Sequence, residues 1–315
     1  MRAVRNTDSG VRVLHVPEPE TLADTAGKVV VDVVSTAICG SDLHMVAAGM
    51  QGATLGHEFA GTLADGTAVA VRPQAPCGAC DLCAAGHRQL CRTGGERMYG
   101  VNLDGGMADR VLVDSAMVFP LPDGVDVRDA AVVEPLAVAL HGVNRVGPVT
   151  GRRVLVVGGG PIGLCAVACA RHAGADVTLA EPQRNRAEAG EALGARVGAS
   201  GEYDVVIDAA GVQSSFDLAV EHTCPGGTLG LLGSFWTPVS MNVLVQMKEI
   251  GIVPAFTYGH HHGVEEFAAA AEILRDVPGL VQALVTHRVG LDDAAEAFAR
   301  AADPSAGAIK IVLMP

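Results

Sequence analysis

The glycine-rich segment GGGPIG, residues 158–163, limits the folds open to this chain more than any other feature. It follows directly on the apolar run RRVLVV, residues 152–157, and precedes a helical pattern. The spacing G-x-G-x-x-G between a buried strand and a helix is typical of a dinucleotide-binding turn, because glycines permit the tight turn and let a pyrophosphate approach the positive end of the helix. We predict cofactor contacts at Gly158, Gly160, Pro161, Ile162 and Gly163.

A carboxylate at the end of the next predicted strand indicates which dinucleotide binds. Glu181 closes the run DVTLAE, where it can accept hydrogen bonds from both ribose hydroxyls of NAD and would repel the 2′-phosphate of NADP. We therefore predict NAD. Arg184 and Arg186 follow closely and keep NADP open as an alternative; Arg186 is included among the predicted cofactor contacts. A glycine turn without a ligand is disfavoured because motif, placement and carboxylate coincide.

The wider pattern predicts an α/β chain in two parts. Strands and helices alternate from about residue 140 to 260, which is typical of a doubly wound parallel sheet covered on both faces. A chain of 315 residues is also too long for one core. Short β-like runs separated by glycine, proline and aspartate predict a β-rich first part. These runs are residues 28–35, 67–71 and 108–113; near the end we predict a helix at 264–274, a strand at 284–289, a helix at 292–301 and a last strand AIKIVLMP.

Composition excludes several classes of partner. The net charge of −13 and the scarcity of aromatic residues, at 3%, argue against nucleic acid and against anionic membrane surfaces. The uncharged stretch 154–170 is slightly short for a membrane span and contains four glycines and a proline. The N-terminal MRAVRNTDSG lacks a secretory signal, so we expect a cytoplasmic protein whose eight cysteines are reduced.

Four of these cysteines fall within the segment CGACDLCAAGHRQLC, spaced C-x2-C-x2-C-x7-C. Thiols crowded in this way indicate a shared partner, and reduced thiols disfavour disulfides. An iron–sulfur cluster prefers a shorter last spacing, C-x2-C-x2-C-x3-C. Zinc stays open as the other candidate partner.

Other metal-binding residue types are spread over three short fragments. AICGSDLH contains Cys39, LGHEFAG contains His57 and Glu58, and VVEPLAVALHG contains Glu134. Cysteine, histidine and carboxylate together suit zinc, and a site that keeps one position open would be catalytic. Each fragment alone could be structural, because a buried cysteine or a lone histidine is common in a core.

The order of these fragments, followed by a nucleotide fold, strongly resembles the zinc-containing medium-chain alcohol dehydrogenases, particularly their sorbitol and threonine dehydrogenase branch. The likeness extends from AICGSDLH to AIKIVLMP. It implies a GroES-like catalytic domain of residues 1–139 completed by 281–315, a Rossmann NAD-binding domain of residues 140–280, and catalysis in the cleft between them. It also implies a homodimer or homotetramer.

The resemblance implies two zinc ions per chain. Cys39 and His57 would be catalytic ligands, and Glu58 and Glu134 would bind the metal directly or through its water, in an order that the resemblance leaves open. A closed structural site would be formed by Cys77, Cys80, Cys83 and Cys91. Ethanol-type enzymes carry a third cysteine at the position of Glu134, so this residue points to polyol-like substrates.

The resemblance also implies a proton path. Ser41 would accept the alcohol proton, His44 would pass it to solvent, and Asp42 would orient the zinc-bound histidine. Lys310 would meet the cofactor pyrophosphate, with a plain surface lysine as the alternative.

We predict a dehydrogenase that transfers a hydride between a secondary alcohol (a polyol, sugar alcohol, cyclitol or amino alcohol) and NAD. The alternatives are an NADP-linked aldehyde or ketone reductase and a non-catalytic nucleotide-binding zinc protein. Two departures from the family affect the pocket rim: the loop after His57 is short, and residues 195–203 lack a strand-and-helix stretch. Four aromatic residues could line the pocket or belong to the core: Phe59, Tyr99, Trp236 and Tyr258.

Overall fold

The structure is a computed structural model that describes residues 1–19 and 26–315. Its strands are β1 (Arg2–Thr7), β2 (Gly10–His15), β3 (Lys28–Ala37), β4 (Glu58–Thr62), β5 (Ala68–Val71), β6 (Arg110–Asp114), β7 (Val118–Pro120), β8 (Arg153–Val157), β9 (Asp176–Ala180), β10 (Arg196–Val197), β11 (Tyr203–Asp208), β12 (Thr223–Leu231), β13 (Gly251–Pro254), β14 (His260–His261), β15 (Val264–Glu265), β16 (Val285–Gly290) and β17 (Lys310–Met314). Its α-helices are α1 (Gly40–Ala47), α2 (Asp81–Ala84), α3 (Val133–Arg145), α4 (Pro161–His172), α5 (Arg184–Ala192), α6 (Gln213–His222), α7 (Leu244–Met247), α8 (Glu266–Asp276), α9 (Leu280–Leu284) and α10 (Ala294–Ala302).

The chain separates into two compact units. The first comprises Met1–Glu134 together with Val285–Pro315, and the second comprises Pro135–Leu284. The assignment of functions to domains bounded at 139 and 281 stays a prediction.

A seven-stranded sheet forms the first unit. Its order is β16-β17-β3-β4-β5-β7, with β6 also paired to β3. The last strand, β17, runs parallel to β16 and antiparallel to β3, so the end of the chain completes this sheet. Valine-rich strands suit a half-buried pleated surface. Alternate side chains of β3, β5 and β6 form one face of the core: Val31, Val33, Val69, Val71, Val111 and Val113.

A six-stranded, wholly parallel sheet forms the second unit. The order β10-β9-β8-β11-β12-β13 is that of a doubly wound nucleotide-binding fold, and the strand order reverses between β8 and β11. β8 is apolar and buried from Val154 to Val157 because helices cover both faces of such a sheet. The predicted fold class is confirmed. β10 has only two residues, and the segment from there to β11 contains no helix, as the shortening at 195–203 predicts.

The predicted helix at 264–274 begins later than expected. Val264 and Glu265 instead pair with His260 and His261 as a small hairpin, so α8 starts at Glu266. Among the residues that the structure describes, no helix has both the length and the apolar character needed to cross a membrane.

A buried carboxylate anchors that hairpin within the second unit. Glu266 accepts hydrogen bonds from His141 Nδ1 at 2.7 Å, Asn144 Nδ2 at 2.7 Å and Gly259 N at 2.8 Å. His141 and Asn144 lie on α3, so one carboxylate joins α3, α8 and the start of the hairpin. Burial of the carboxylate raises the pKa of Glu266, but the three donors outweigh it, and the pKa lies below its usual value.

Candidate metal sites and dinucleotide turn

The antiparallel pairing of β3 and β4 brings three candidate metal ligands together. Ala37, the last residue of β3, pairs with Glu58, the first residue of β4. Cys39 follows two residues after β3 and caps α1, while His57 directly precedes β4. Ligand atoms of Cys39, His57 and Glu58 consequently lie within 4.8 Å of one another.

Asp42 contacts two of these three residues, Cys39 and His57. It is fully buried; its Oδ2 accepts a hydrogen bond from Cys39 N at 2.9 Å, and its Oδ1 lies 3.1 Å from His57 Nδ1. The Nε2 of His57 lies 3.3 Å from the Ser41 hydroxyl, which also donates to Cys39 Sγ at 3.3 Å. The structure therefore brings together four residues that the resemblance placed at one site, namely Cys39, Ser41, Asp42 and His57.

The electrostatics of the pocket favour a cation. Burial of the imidazole lowers the pKa of His57, but the charges of Asp42 and Cys39 outweigh burial and hold this pKa well above its usual value. A pocket that stabilises positive charge beside a cysteine, a histidine and a glutamate fits a divalent metal of the zinc type.

Glu134 is separate from this trio. It lies in the first turn of α3, is 5% exposed and is not among the residues whose ligand atoms converge. The structure groups Glu58, and not Glu134, with Cys39 and His57, and the role of each carboxylate stays a prediction. His44 is exposed on α1, three residues after Ser41 and thus on the same side of the helix.

Lys310 is a buried side chain of the first unit. This lysine is 2% exposed, and its Nζ donates to Glu58 Oε1 at 2.8 Å, Glu58 Oε2 at 2.7 Å and the carbonyl of Ile38 at 3.1 Å. The lysine therefore contacts groups of the first unit, and its predicted contact with the cofactor pyrophosphate stays a prediction.

The four-cysteine segment forms a second convergent group. The sulfur atoms of Cys77, Cys80, Cys83 and Cys91 lie within 4.8 Å of one another. Backbone amides point at these sulfur atoms, with Cys77 N donating to Cys91 Sγ at 3.2 Å and Cys80 N to Cys77 Sγ at 3.3 Å. The donated hydrogen bond from Cys77 N lowers the pKa of Cys91 to about 6.

Burial has the opposite effect on Cys83 and raises its pKa to about 12. A metal cation supplies the charge that such a buried thiol lacks and deprotonates it. The group therefore fits a closed zinc site.

The glycine turn has the geometry of a dinucleotide cradle. Gly158 follows β8 with a φ of +96°, and a Cβ at Gly163 would lie 1.8 Å from the Gly158 carbonyl oxygen. Gly160 caps α4 with open space at its Cβ position, and Pro161 fills the first helical position, where its missing N–H costs nothing. Ile162, in the same first turn, is partly exposed.

Glu181 lies against this turn. Its Oε2 accepts a hydrogen bond from Gly159 N at 2.6 Å, and its Oε1 accepts one from Gln183 N at 2.7 Å. Arg184 is exposed and pairs with Glu188, while Arg186 is partly buried on the same helix, α5.

Sequence reasoning missed Asp208, at the end of β11. Its Oδ1 accepts hydrogen bonds from Ala210 N at 3.0 Å and Gly211 N at 3.1 Å, and its burial raises its pKa. Asp208 thus shapes the loop beside Gly158, where a Cβ added at Gly158 would lie 3.0 Å from the Cβ of Ala210. A polar residue ending the apolar run YDVVID was the available signal.

The four aromatic residues that could belong to either pocket or core differ in their exposure to solvent. Phe59, Tyr99 and Tyr258 are buried, whereas Trp236 is 56% exposed.

Comparison with known proteins identifies the class. Residues 25–123 match the family described as alcohol dehydrogenase GroES-like domain, and residues 161–275 match zinc-binding dehydrogenase. The chain belongs to the zinc-containing medium-chain alcohol dehydrogenase family.

Individual relatives match nearly end to end. L-threonine 3-dehydrogenase of Streptomyces avermitilis is 31% identical over 97% of this chain and 96% of its own, and galactitol 1-phosphate 5-dehydrogenase of Escherichia coli K12 is 28% identical over 99% of both. Among solved structures, E. coli galactitol-1-phosphate dehydrogenase is 28% identical with a TM-score of 0.88 over 100% of both chains. A Sinorhizobium meliloti zinc-binding dehydrogenase bound to NADP is 28% identical with a TM-score of 0.87 over 100% of this chain and 99% of its own.

Proposed function

We propose that this protein is a zinc-dependent dehydrogenase that transfers a hydride between a secondary alcohol and NAD. The observation that carries the proposal is the position of the Ser41 hydroxyl, 3.3 Å from both Cys39 Sγ and His57 Nε2. A purely structural metal site has no use for a proton-accepting hydroxyl beside its ligands, so this arrangement supports catalysis over a scaffold role.

Each residue of the site has a definite task in the proposal. Cys39, His57 and Glu58 would hold zinc, which when bound polarises an alcohol or carbonyl oxygen. Ser41 accepts the alcohol proton, and His44, exposed one turn further along α1, passes it to solvent. Asp42 fixes the ring of His57 through Nδ1 so that Nε2 faces the metal position.

The relatives support a substrate with several polar groups. Besides the two dehydrogenases of threonine and galactitol 1-phosphate, an L-arabinitol 4-dehydrogenase of Talaromyces emersonii is 30% identical over 91% of this chain. We infer that the substrate is a small polyol, sugar alcohol, cyclitol or amino alcohol whose secondary hydroxyl is oxidised.

We infer a preference for NAD from Glu181. Its carboxylate already lies against the glycine turn, where it can accept from ribose hydroxyls and would repel a 2′-phosphate. A preference for NADP is the alternative, because one similar solved structure is bound to NADP.

A panel of secondary alcohols offered with NAD and with NADP tests the proposal. We expect reduced cofactor to appear with NAD and a polyol or amino alcohol, and we expect no turnover for Cys39→Ala, which still binds NADH through the second unit. If Cys39→Ala retained wild-type turnover, or if zinc-replete protein oxidised no alcohol of the panel, the dehydrogenase proposal would fail.

A further inference from the structure

Lys310 is an unusual lysine for this chain. The sequence contains three lysines, and only Lys310 is buried. Fully buried lysines are rare unless they are paired. Its partner Glu58 is equally buried, since the two side chains are 2% and 1% exposed. The pair therefore forms a closed ionic contact inside the first unit.

The ammonium of Lys310 is hydrogen-bonded to both segments that carry the proposed metal ligands. Its bond to the Ile38 carbonyl reaches the residue before Cys39, and its bonds to both oxygens of Glu58 reach the residue after His57. Strand β17 delivers it to this position, because Ile38 N also donates to the Ile311 carbonyl at 3.0 Å.

The carboxylate of Glu58 consequently faces two positively charged partners, one present and one proposed. One comes from the ammonium of Lys310, which bonds both oxygens, and the other comes from the metal position shared with Cys39 and His57. A buried positive charge on the carboxylate also repels a dication placed at the same group, because charges interact strongly where water is excluded.

We propose that Lys310 is a positioning residue that lowers the affinity of the Cys39–His57–Glu58 site for its metal by holding Glu58 as a counter-ion. The inference rests on the proposed function, in which this trio holds zinc. It makes the trio the more exchangeable of the two zinc sites, since the cation beside the four-cysteine site, Arg92, is exposed and paired with Asp81, whereas Lys310 is buried. A lysine that only propped up the fold would leave metal affinity unchanged or would be needed to keep it high.

The test measures zinc affinity directly, with zinc alone as the probe and a chromophoric chelator as competitor at pH 8. Lys310→Met removes the charge, and Lys310→Gln removes it while keeping a donor for Glu58, so the second variant carries the test if the first does not fold. Lys248→Met is the matched control, because Lys248 also bonds backbone carbonyls, at Glu221 and Thr223, and touches no proposed ligand.

We expect both Lys310 variants to hold the weaker zinc ion at least tenfold more tightly than wild type, and the control to stay within about twofold. Equal or weaker binding in a folded Lys310 variant overturns the inference. Cys39→Ser shows which site holds the weaker zinc ion, because this variant should lack that ion. If Cys39→Ser and wild type held the same number of zinc ions, the metal site of the proposed function would itself fail, and this inference with it.

Discussion

Two glycines of the same turn should separate fold stability from cofactor binding. A Cβ at Gly163 would lie 1.8 Å from the Gly158 carbonyl oxygen, whereas ordinary contact begins at 3.4 Å, so β8 and α4 must separate by about 1.6 Å in Gly163→Ala. Overpacking typically costs about 1–3 kcal/mol, and a clash with rigid backbone belongs at the upper end. About 3 kcal/mol lowers the melting temperature of a unit of this size by roughly 6–12 °C.

Gly160→Ala is the matched control, because nothing lies within 4 Å of its Cβ position and its φ of −69° suits alanine. We expect a stability loss below about 1 kcal/mol from the poorer N-cap, but markedly weaker NADH binding, since the new methyl group occupies the cradle. Thermal unfolding and NADH fluorescence titration measure the two effects. If Gly163→Ala melted like wild type, or if Gly160→Ala bound NADH normally, the assignment of the turn would be refuted.

Four further predictions concern the sites and the buried carboxylate. Metal-replete protein should contain two zinc ions per chain by elemental analysis. Cys80→Ser should have a lower melting temperature, because structural zinc binding is coupled to folding; a variant that kept its stability and lost only turnover would contradict this. Ser41→Ala should slow alcohol oxidation about 10²- to 10⁴-fold at every pH. His44→Gln should slow it mainly near and below neutrality, and added imidazole should restore the rate. If the pH profiles of both variants overlaid that of wild type, the proposed proton path would be wrong. Glu181→Ser should shrink a preference for NAD that we expect to be at least tenfold in kcat/KM, about 1.4 kcal/mol, and a wild type that favours NADP would overturn it. The pKa of Glu266 is lowered on folding from about 4.5, so its stabilisation is complete above that unfolded value and is lost as pH falls through the folded value. Glu266→Gln should therefore lose less stability than wild type between pH 6 and pH 3 in urea unfolding, and equal losses would contradict the role.

Local signals in the sequence were sufficient for the parts of the site that a single turn builds. The glycine turn, the run around Cys39 and the four-cysteine segment each place their functional atoms within a few residues, so spacing alone specifies which groups converge. Ser41 and Asp42 belong to the same helix start as Cys39, and the structure places both beside it.

Long-range pairing decided what the sequence left open. Lys310 and Glu58 are 252 positions apart, and the pairing of both β17 and β4 with β3 brings them together. A basic residue near the end of a strand gives no sign of whether its ammonium faces a ligand or an internal carboxylate. The choice between Glu58 and Glu134 was open for the same reason, because it depends on which carboxylate shares the group with Cys39 and His57.

The position of β17 has a consequence for the order in which the protein is made. Residues 135–284 form a contiguous unit, whereas the first sheet is complete only with β17, which lies between β16 and β3. At typical synthesis rates of about 5–20 residues per second, Glu58 waits roughly 13–50 s for Lys310, 252 residues later. During that interval Glu58 has no ammonium partner, so a metal ion present while the chain is being synthesised meets its carboxylate before the lysine does.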